Sequence, residues 1–119
     1  MESKIIENYI NFCKLSLNGN TNYNKLYESV EIFESFLKSD SKKGWEALIY
    51  TLDKVKNDDK ILYYILAGPF EDFVNDNFEE FYHRFLSYKK QSILWKISFK
   101  SIYYRDNLDK TKVYNLVYM

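Results

Sequence analysis

Three glycines and a single proline are all that interrupt this chain of 119 residues, and that scarcity constrains the fold more than any other feature. A β-sandwich or barrel turns about every 8–12 residues and draws those turns largely from glycine and proline. Helices need few such residues, so an all-α fold is expected before any periodicity is counted. Hydrophobic residues make up 46% and charged residues 29%, the balance of a folding globular chain rather than of a disordered one. At this length one hydrophobic core is adequate while two would each be marginal, so a single helical domain spanning 1–119 is expected.

The apolar residues bear this out in their spacing. Ile5, Ile6, Tyr9, Ile10, Cys13 and Leu17 recur at intervals of three and four, the stripe of an amphipathic helix that Asn18-Gly19-Asn20 would end. Tyr23, Leu26, Tyr27, Val30, Phe33 and Leu37 form a second stripe. Ser39-Asp40-Ser41 offers capping oxygens to a third helix, lined on one face by Trp45, Leu48, Ile49, Leu52 and Val55. A fourth, with Ile61, Leu62, Ile65 and Leu66 buried, is expected to stop at Gly68-Pro69, glycine taking the left-handed conformation and proline opening the next helix.

Beyond that junction, Phe70, Phe73, Val74, Phe78, Phe81, Tyr82, Phe85 and Leu86 continue an apolar face, which Asn75-Asp76-Asn77 divides into a short helix and a longer one. From Gln91 to Tyr104, Ile93, Leu94, Ile97 and Ile102 make one stripe while Trp95 and Phe99 lie off it. A helix apolar on two sides is either central or partnered. The stretch from Val113 to Met119 suits a strand, a docked tail or a contact with another subunit. The expected architecture is a compact array or bundle of about six helices, with right-handed helical-hairpin (HEAT-like) packing among its forms.

The first residues place Glu2 and Glu7 before any apolar run, which is neither a secretory nor a transit signal, and no apolar run approaches the roughly 18 residues that span a bilayer. A cytoplasmic protein without membrane contact is expected. The single cysteine, Cys13, reads as a small buried hydrophobe.

Catalytic chemistry finds few residues to use. His83 is the only histidine, set between Tyr82 and Arg84 with no nucleophile placed beside it by any motif. One histidine and one cysteine cannot assemble a zinc site of recognisable spacing, and an all-carboxylate magnesium site is the metal chemistry the residue types leave open. Gly19, Gly44 and Gly68 stand apart from one another, so no phosphate-cradling loop exists. Neither an enzyme nor a cofactor is expected.

Charge is balanced overall but not along the chain. Residues 1–83 hold fifteen acids against nine bases, and residues 84–119 two acids against eight bases. Glu71, Asp72, Asp76, Glu79 and Glu80 place five acids within ten residues and no base among them. They suit a patch that meets a basic partner. They equally suit helix starts, with Glu71 and Asp72 following Gly68-Pro69 and Glu79 and Glu80 following Asn77, where carboxylates offset the helix dipole. In the basic half, Lys89, Lys90, Lys96, Lys100 and Arg105 alternate with Tyr88, Trp95, Phe99, Tyr103 and Tyr104, a pattern that can offer cations and stacking rings to nucleic acid. Lysine outnumbers arginine fifteen to two, and the net positive footprint usual for phosphate readers is missing, so nucleic acid is the weaker expectation. The simplest reading of the asymmetry is that acids and bases meet across the folded surface. Twelve tyrosines exceed what a small core needs, which suits an interface.

The runs Trp45-Glu46-Ala47-Leu48-Ile49, Asp58-Asp59-Lys60-Ile61-Leu62 and Ala67-Gly68-Pro69-Phe70-Glu71-Asp72-Phe73-Val74 resemble an uncharacterised bacterial all-helical domain family with a Gly-Pro-Leu-Glu-Asp-Leu core. Phe70 and Phe73 stand in place of its leucines, and Asp76-Asn77 in place of a glycine-containing turn. The resemblance covers about residues 44–105, and it implies an all-helical unit in which Glu71 and Asp72 cap or organise the Gly-Pro junction. By kind rather than by motif, small helical proteins with an acidic face also resemble bacterial toxin-immunity proteins. The expected function is therefore non-enzymatic protein binding, most concretely an immunity protein that covers the basic site of a cognate toxin with Glu71, Asp72, Asp76, Glu79 and Glu80. The alternative is a nucleic-acid-associated or regulatory domain using the basic C-terminal part.

Overall fold

The computed structural model of the chain describes residues 2–19 and 26–119. Every regular element among them is helical: α1 (Glu2–Leu17), α2 (Tyr27–Ser39), α3 (Ser41–Val55), α4 (Asp59–Ile65), a π-helical turn (Leu66–Phe70), α5 (Glu71–Asp76), α6 (Phe78–Lys89), α7 (Ile93–Lys100) and α8 (Lys110–Tyr118). The expected all-α array is what forms. The π-helical turn joins α4 to α5 without a break, which leaves seven separate helical runs among the described residues where about six were expected. Asn20 and Tyr23, expected to end the first helix and to open the second, lie outside the described residues. The chain divides into two compact units, Met1–Ile65 and Leu66–Met119.

In the first unit α1 packs on α2, α3 and α4, and α3 packs on α2 and α4. Its core is most of the predicted stripes: Ile5, Ile6, Tyr9, Ile10 and Cys13 from α1, Val30 and Phe33 from α2, Trp45, Leu48, Leu52 and Val55 from α3, and Ile61, Leu62 and Ile65 from α4. Leu17 and Tyr27, expected on the stripes, are exposed at helix ends, and Leu26, Leu37 and Ile49 are half-buried. The rings of Tyr9 and Phe33 stack at 3.9 Å between centroids. Full burial of a side chain such as Leu48 stabilises by about 1.5–3 kcal/mol. Asp40 caps α3 as expected, its carboxylate accepting from the Lys43 N–H. The buried Thr51 hydroxyl is satisfied within its own helix by the Ala47 carbonyl at 2.6 Å.

In the second unit α6 packs against α5, α7 and α8, and α7 packs on α8. Rings fill the space between them. Phe99 lies 5.4 Å from both Phe70 and Phe85, and Phe73 meets Phe81 edge-on at 5.3 Å. Aromatic pairs in such geometry add about 0.5–1.5 kcal/mol to their area burial. The division of the long apolar face falls at Asn77, between α5 and α6, as the Asn-Asp-Asn run predicts.

Two local expectations are corrected and one open choice is resolved. Gly68 is not left-handed, since Gly19 alone has a positive φ among the described residues, and Gly68-Pro69 sits inside the π-helical turn. Pro69 has no N–H to offer the Ile65 carbonyl and its ring would press on that oxygen; a wider turn relieves both problems without ending the helix. In α7 the buried face carries Trp95, Ser98 and Phe99, while Ile93 is 73% and Ile97 41% exposed. The helix is apolar on two sides, and the larger rings, which gain more by leaving water, take the interior. Finally, of the forms left open for the tail, it is not a strand but a docked helix, packed on α6 and α7. Asp109 caps α8 through the Lys112 N–H at 3.1 Å, and Leu116 anchors the helix in the core.

Candidate functional site

The acidic run and the basic half of the sequence meet within the second unit. Glu71 lies in the first turn of α5, but Phe70 before it is already helical (φ −66°, ψ −49°), so Glu71 and Asp72 have no free helix start to cap. The Glu71 carboxylate instead accepts the Tyr103 N–H at 2.7 Å, across 32 residues of sequence. Asp76 accepts from the Arg105 guanidinium at 2.7 Å. Glu79, in the first turn of α6, pairs with the Lys112 ammonium of α8, which also stands 5.4 Å above the Tyr82 ring. That hydrogen bond is the main reason the Lys112 pKa is raised. Asp72 and Glu80 are exposed.

Asn75 completes this arrangement, and nothing in its sequence context announced it. Its side chain is 6% exposed and makes three hydrogen bonds. Nδ2 donates to the Glu71 and Tyr103 carbonyls at 2.9 and 2.8 Å, and Oδ1 accepts the Arg105 N–H at 2.9 Å. Glu71, Asn75 and Asp76 thus hold the segment 103–105 against α5, and Glu79 holds α8 at its first turn. Three of the five predicted partner-binding acids are engaged by the chain's own C-terminal part.

With Arg105 and Lys112 so occupied, three of the remaining cations gather elsewhere. Lys89 and Lys90 at the end of α6 and Lys96 of α7 line a groove of about 500 Å³, together with Asn115 of α8. Its apolar wall is made by Tyr82, Leu86 and Met119, and no carboxylate side chain lines it. Lys89 is buried, with its ammonium donating to the Asn115 carbonyl at 3.0 Å. A cation at the carboxyl end of a helix is favourably placed. Burial first, and then the ammonium groups of Lys100, Lys96 and Lys90, lower its pKa from the ordinary lysine value. Lys90, Lys96 and Lys100 are exposed. On α7, Lys96 and Lys100 follow Ile93 and Ile97 by three residues, so these lysines share a surface with the two exposed isoleucines.

The aromatic residues interleaved with these lysines are mostly unavailable for stacking on a base. Trp95 and Phe99 are buried, and the Tyr104 hydroxyl is tied to the Phe99 carbonyl at 2.6 Å. His83 is exposed, 5.5 Å from the Tyr82 ring. Among the described residues no three histidine, cysteine or carboxylate side chains group to hold a metal ion, and no helix is long and apolar enough to cross a membrane.

Lys89, Lys90, Lys96 and Lys100 were legible in the sequence as a basic cluster. What was not legible is that Arg105 leaves that cluster for Asp76, that Lys112 pairs with Glu79, and that Tyr82, Leu86 and Met119 supply the groove's apolar wall. Neither a known protein family, nor a curated protein, nor a solved structure matches this chain.

Proposed function

We propose that this chain is a non-enzymatic binding domain for a protein partner, and that it meets the partner through the lysine groove and the apolar residues beside it. One observation carries the reading: Lys90, Lys96 and Lys100 are exposed around a groove that no carboxylate side chain lines, next to the exposed Ile93 and Ile97. A local excess of side-chain charge of one sign speeds and orients the approach of a complementary surface. Exposed apolar groups beside that charge supply the desolvation that stabilises a complex. Tyr114, Tyr118 and Met119 of the α8 region are exposed as well, and tyrosine and methionine are favoured at interfaces.

A bacterial toxin-immunity protein is the most concrete form of such a domain. In the version in which the acids of residues 71–80 cover a basic toxin site, support comes from the exposure of Asp72 and Glu80. Glu71, Asp76 and Glu79 would have to exchange partners within the chain for partners outside it. This makes the acidic version the second reading.

Affinity capture from the host with the full chain, its K90E/K96E variant and its D72N/E80Q variant tests both. Loss of a stoichiometric partner with K90E/K96E supports the groove, and loss with D72N/E80Q alone supports the acidic version. Recovery of no stoichiometric partner, together with no protection against a toxin encoded beside the gene, counts against protein binding altogether.

A further inference from the structure

We infer that the groove between α6, α7 and α8 receives an acidic peptide segment of the partner, with one apolar side chain against Tyr82, Leu86 and Met119 and flanking carboxylates on Lys90 and Lys96. The inference rests on the protein-binding reading and names the chemistry of the occupant. Lys89 has a structural role at the end of α8, because its ammonium is spent on the Asn115 carbonyl. Lys90 and Lys96, both exposed, are the cations that face a ligand.

The volume and lining decide among anions. A groove of about 500 Å³ is of the size that holds a drug-sized body, and its wall is mostly apolar. A bare inorganic ion would leave Leu86 and Met119 against water and gain nothing from them. Nucleic acid would want forked guanidinium donors and exposed rings at the groove, but no arginine lines it, and its one ring, Tyr82, is buried, as are Trp95 and Phe99. Lysine ammoniums act as point charges and accept carboxylates in many orientations, which suits flexible acidic side chains. Beside the groove, Ile93 and Ile97 are exposed on the same helix as Lys96, further apolar surface that a macromolecular partner can cover.

The probe is a pair of fluorescein-labelled peptides, one with a central leucine between two glutamates on each side and one with glutamines in place of the glutamates, titrated with the full chain and read by anisotropy. Binding of the acidic peptide is expected to exceed that of the neutral one by at least about tenfold, to weaken as salt screens the lysines, and to fall by roughly tenfold in K96E. Met119, 81% exposed, can be changed without touching the core, and M119S should weaken the leucine peptide while leaving the same peptide with serine at its centre unaffected. Circular dichroism melts of K96E and M119S matching the parent confirm that folding is intact; if K96E melts differently, K90E replaces it.

Equal affinity for acidic and neutral peptides overturns the inference, as does a ten-residue oligothymidylate or inorganic phosphate that binds as tightly as the acidic peptide. If no peptide binds while K90E/K96E still loses the captured partner, the acidic-segment inference fails and the protein-binding reading stands. If no peptide binds and the variant keeps its partner, both fail.

Discussion

Asn75→Ala is the substitution that most directly probes how the acidic run is used. The parent side chain is 6% exposed and bridges α5 to the segment leading into α8 through the Tyr103 carbonyl and the Arg105 N–H. Each neutral hydrogen bond contributes about 1 kcal/mol net, so the two long-range bonds together contribute about 1–3 kcal/mol. Tyr103 and Arg105 are exposed residues, and water can reach the groups left behind, which keeps the penalty for lost partners at its lower end. With a further ~1 kcal/mol for the small void, Asn75→Ala should destabilise by roughly 2–4 kcal/mol. In urea that lowers the unfolding midpoint by roughly 1–3 M for a small domain.

The assay is urea unfolding followed by the fluorescence of Trp95, in a Trp45→Phe background so that one tryptophan reports from the second unit. Amide hydrogen exchange at Tyr103 and Arg105 should lose its protection in the same variant. Asn75→Asp is the companion: it keeps an acceptor for the Arg105 N–H but turns the donor toward two carbonyls into a carboxylate oxygen. It should be at least as damaging as alanine at neutral pH and partly recover as acid protonates it. A shift for Asn75→Ala below about 0.5 kcal/mol, with exchange at residues 103 and 105 unchanged, would refute the claim that this side chain holds the segment.

Glycine substitutions separate the π-helical turn from a left-handed cap: Gly68→Ala should be neutral or stabilise by up to about 1 kcal/mol, because an added Cβ meets nothing within 4 Å and φ is not positive, whereas Gly19→Ala at φ 72° should cost about 1 kcal/mol, both read by urea melts. Burial pushes the Cys13 thiol up to about 11 from 9.0, so the folded chain keeps a proton the unfolded chain releases. The Cys13 contribution to stability should therefore fall between pH 9 and about 11 by roughly 2–3 kcal/mol, and Cys13→Ala should shrink the loss between melts at pH 8 and 10.5, leaving the part due to the buried Tyr9 and Tyr104 hydroxyls, whose pKa values burial also raises. Lys89 has the opposite sign. Its lowered pKa means the folded chain holds the proton less firmly than the unfolded one, so stability contributed by this group should rise with alkaline pH toward the ordinary lysine value, and Lys89→Met in the Cys13→Ala background should flatten the rise.

The lysine groove also explains why the acidic run is a poor guide to function when taken alone. Five carboxylates in ten residues look like a surface awaiting a partner, yet three of them neutralise or anchor groups of residues 103–112. Removing Arg105 and Lys112 from the pool of unpaired cations leaves Lys90, Lys96 and Lys100 as the exposed cations of the uncompensated cluster. A charge census by sequence segment cannot see this, because the partners lie 29 to 33 residues apart.

What the residue order alone determined is everything with a local cause. The recurrence of apolar residues at three and four, the Asp40 cap, the break at Asn77 and the near absence of glycine and proline each act within a turn or two of helix, and each appears where it was expected. Tertiary structure decided the choices that local rules leave degenerate. Trp95 and Phe99 competed with Ile93 and Ile97 for the interior of α7 and won on buried area, and Asn75 found two partners, the Tyr103 carbonyl and the Arg105 N–H, that only the folded chain brings within reach. The physical reason is the same in each case. A helix's own geometry sets which residues share a face, but which face is buried and which charge is neutralised depend on what packs against it.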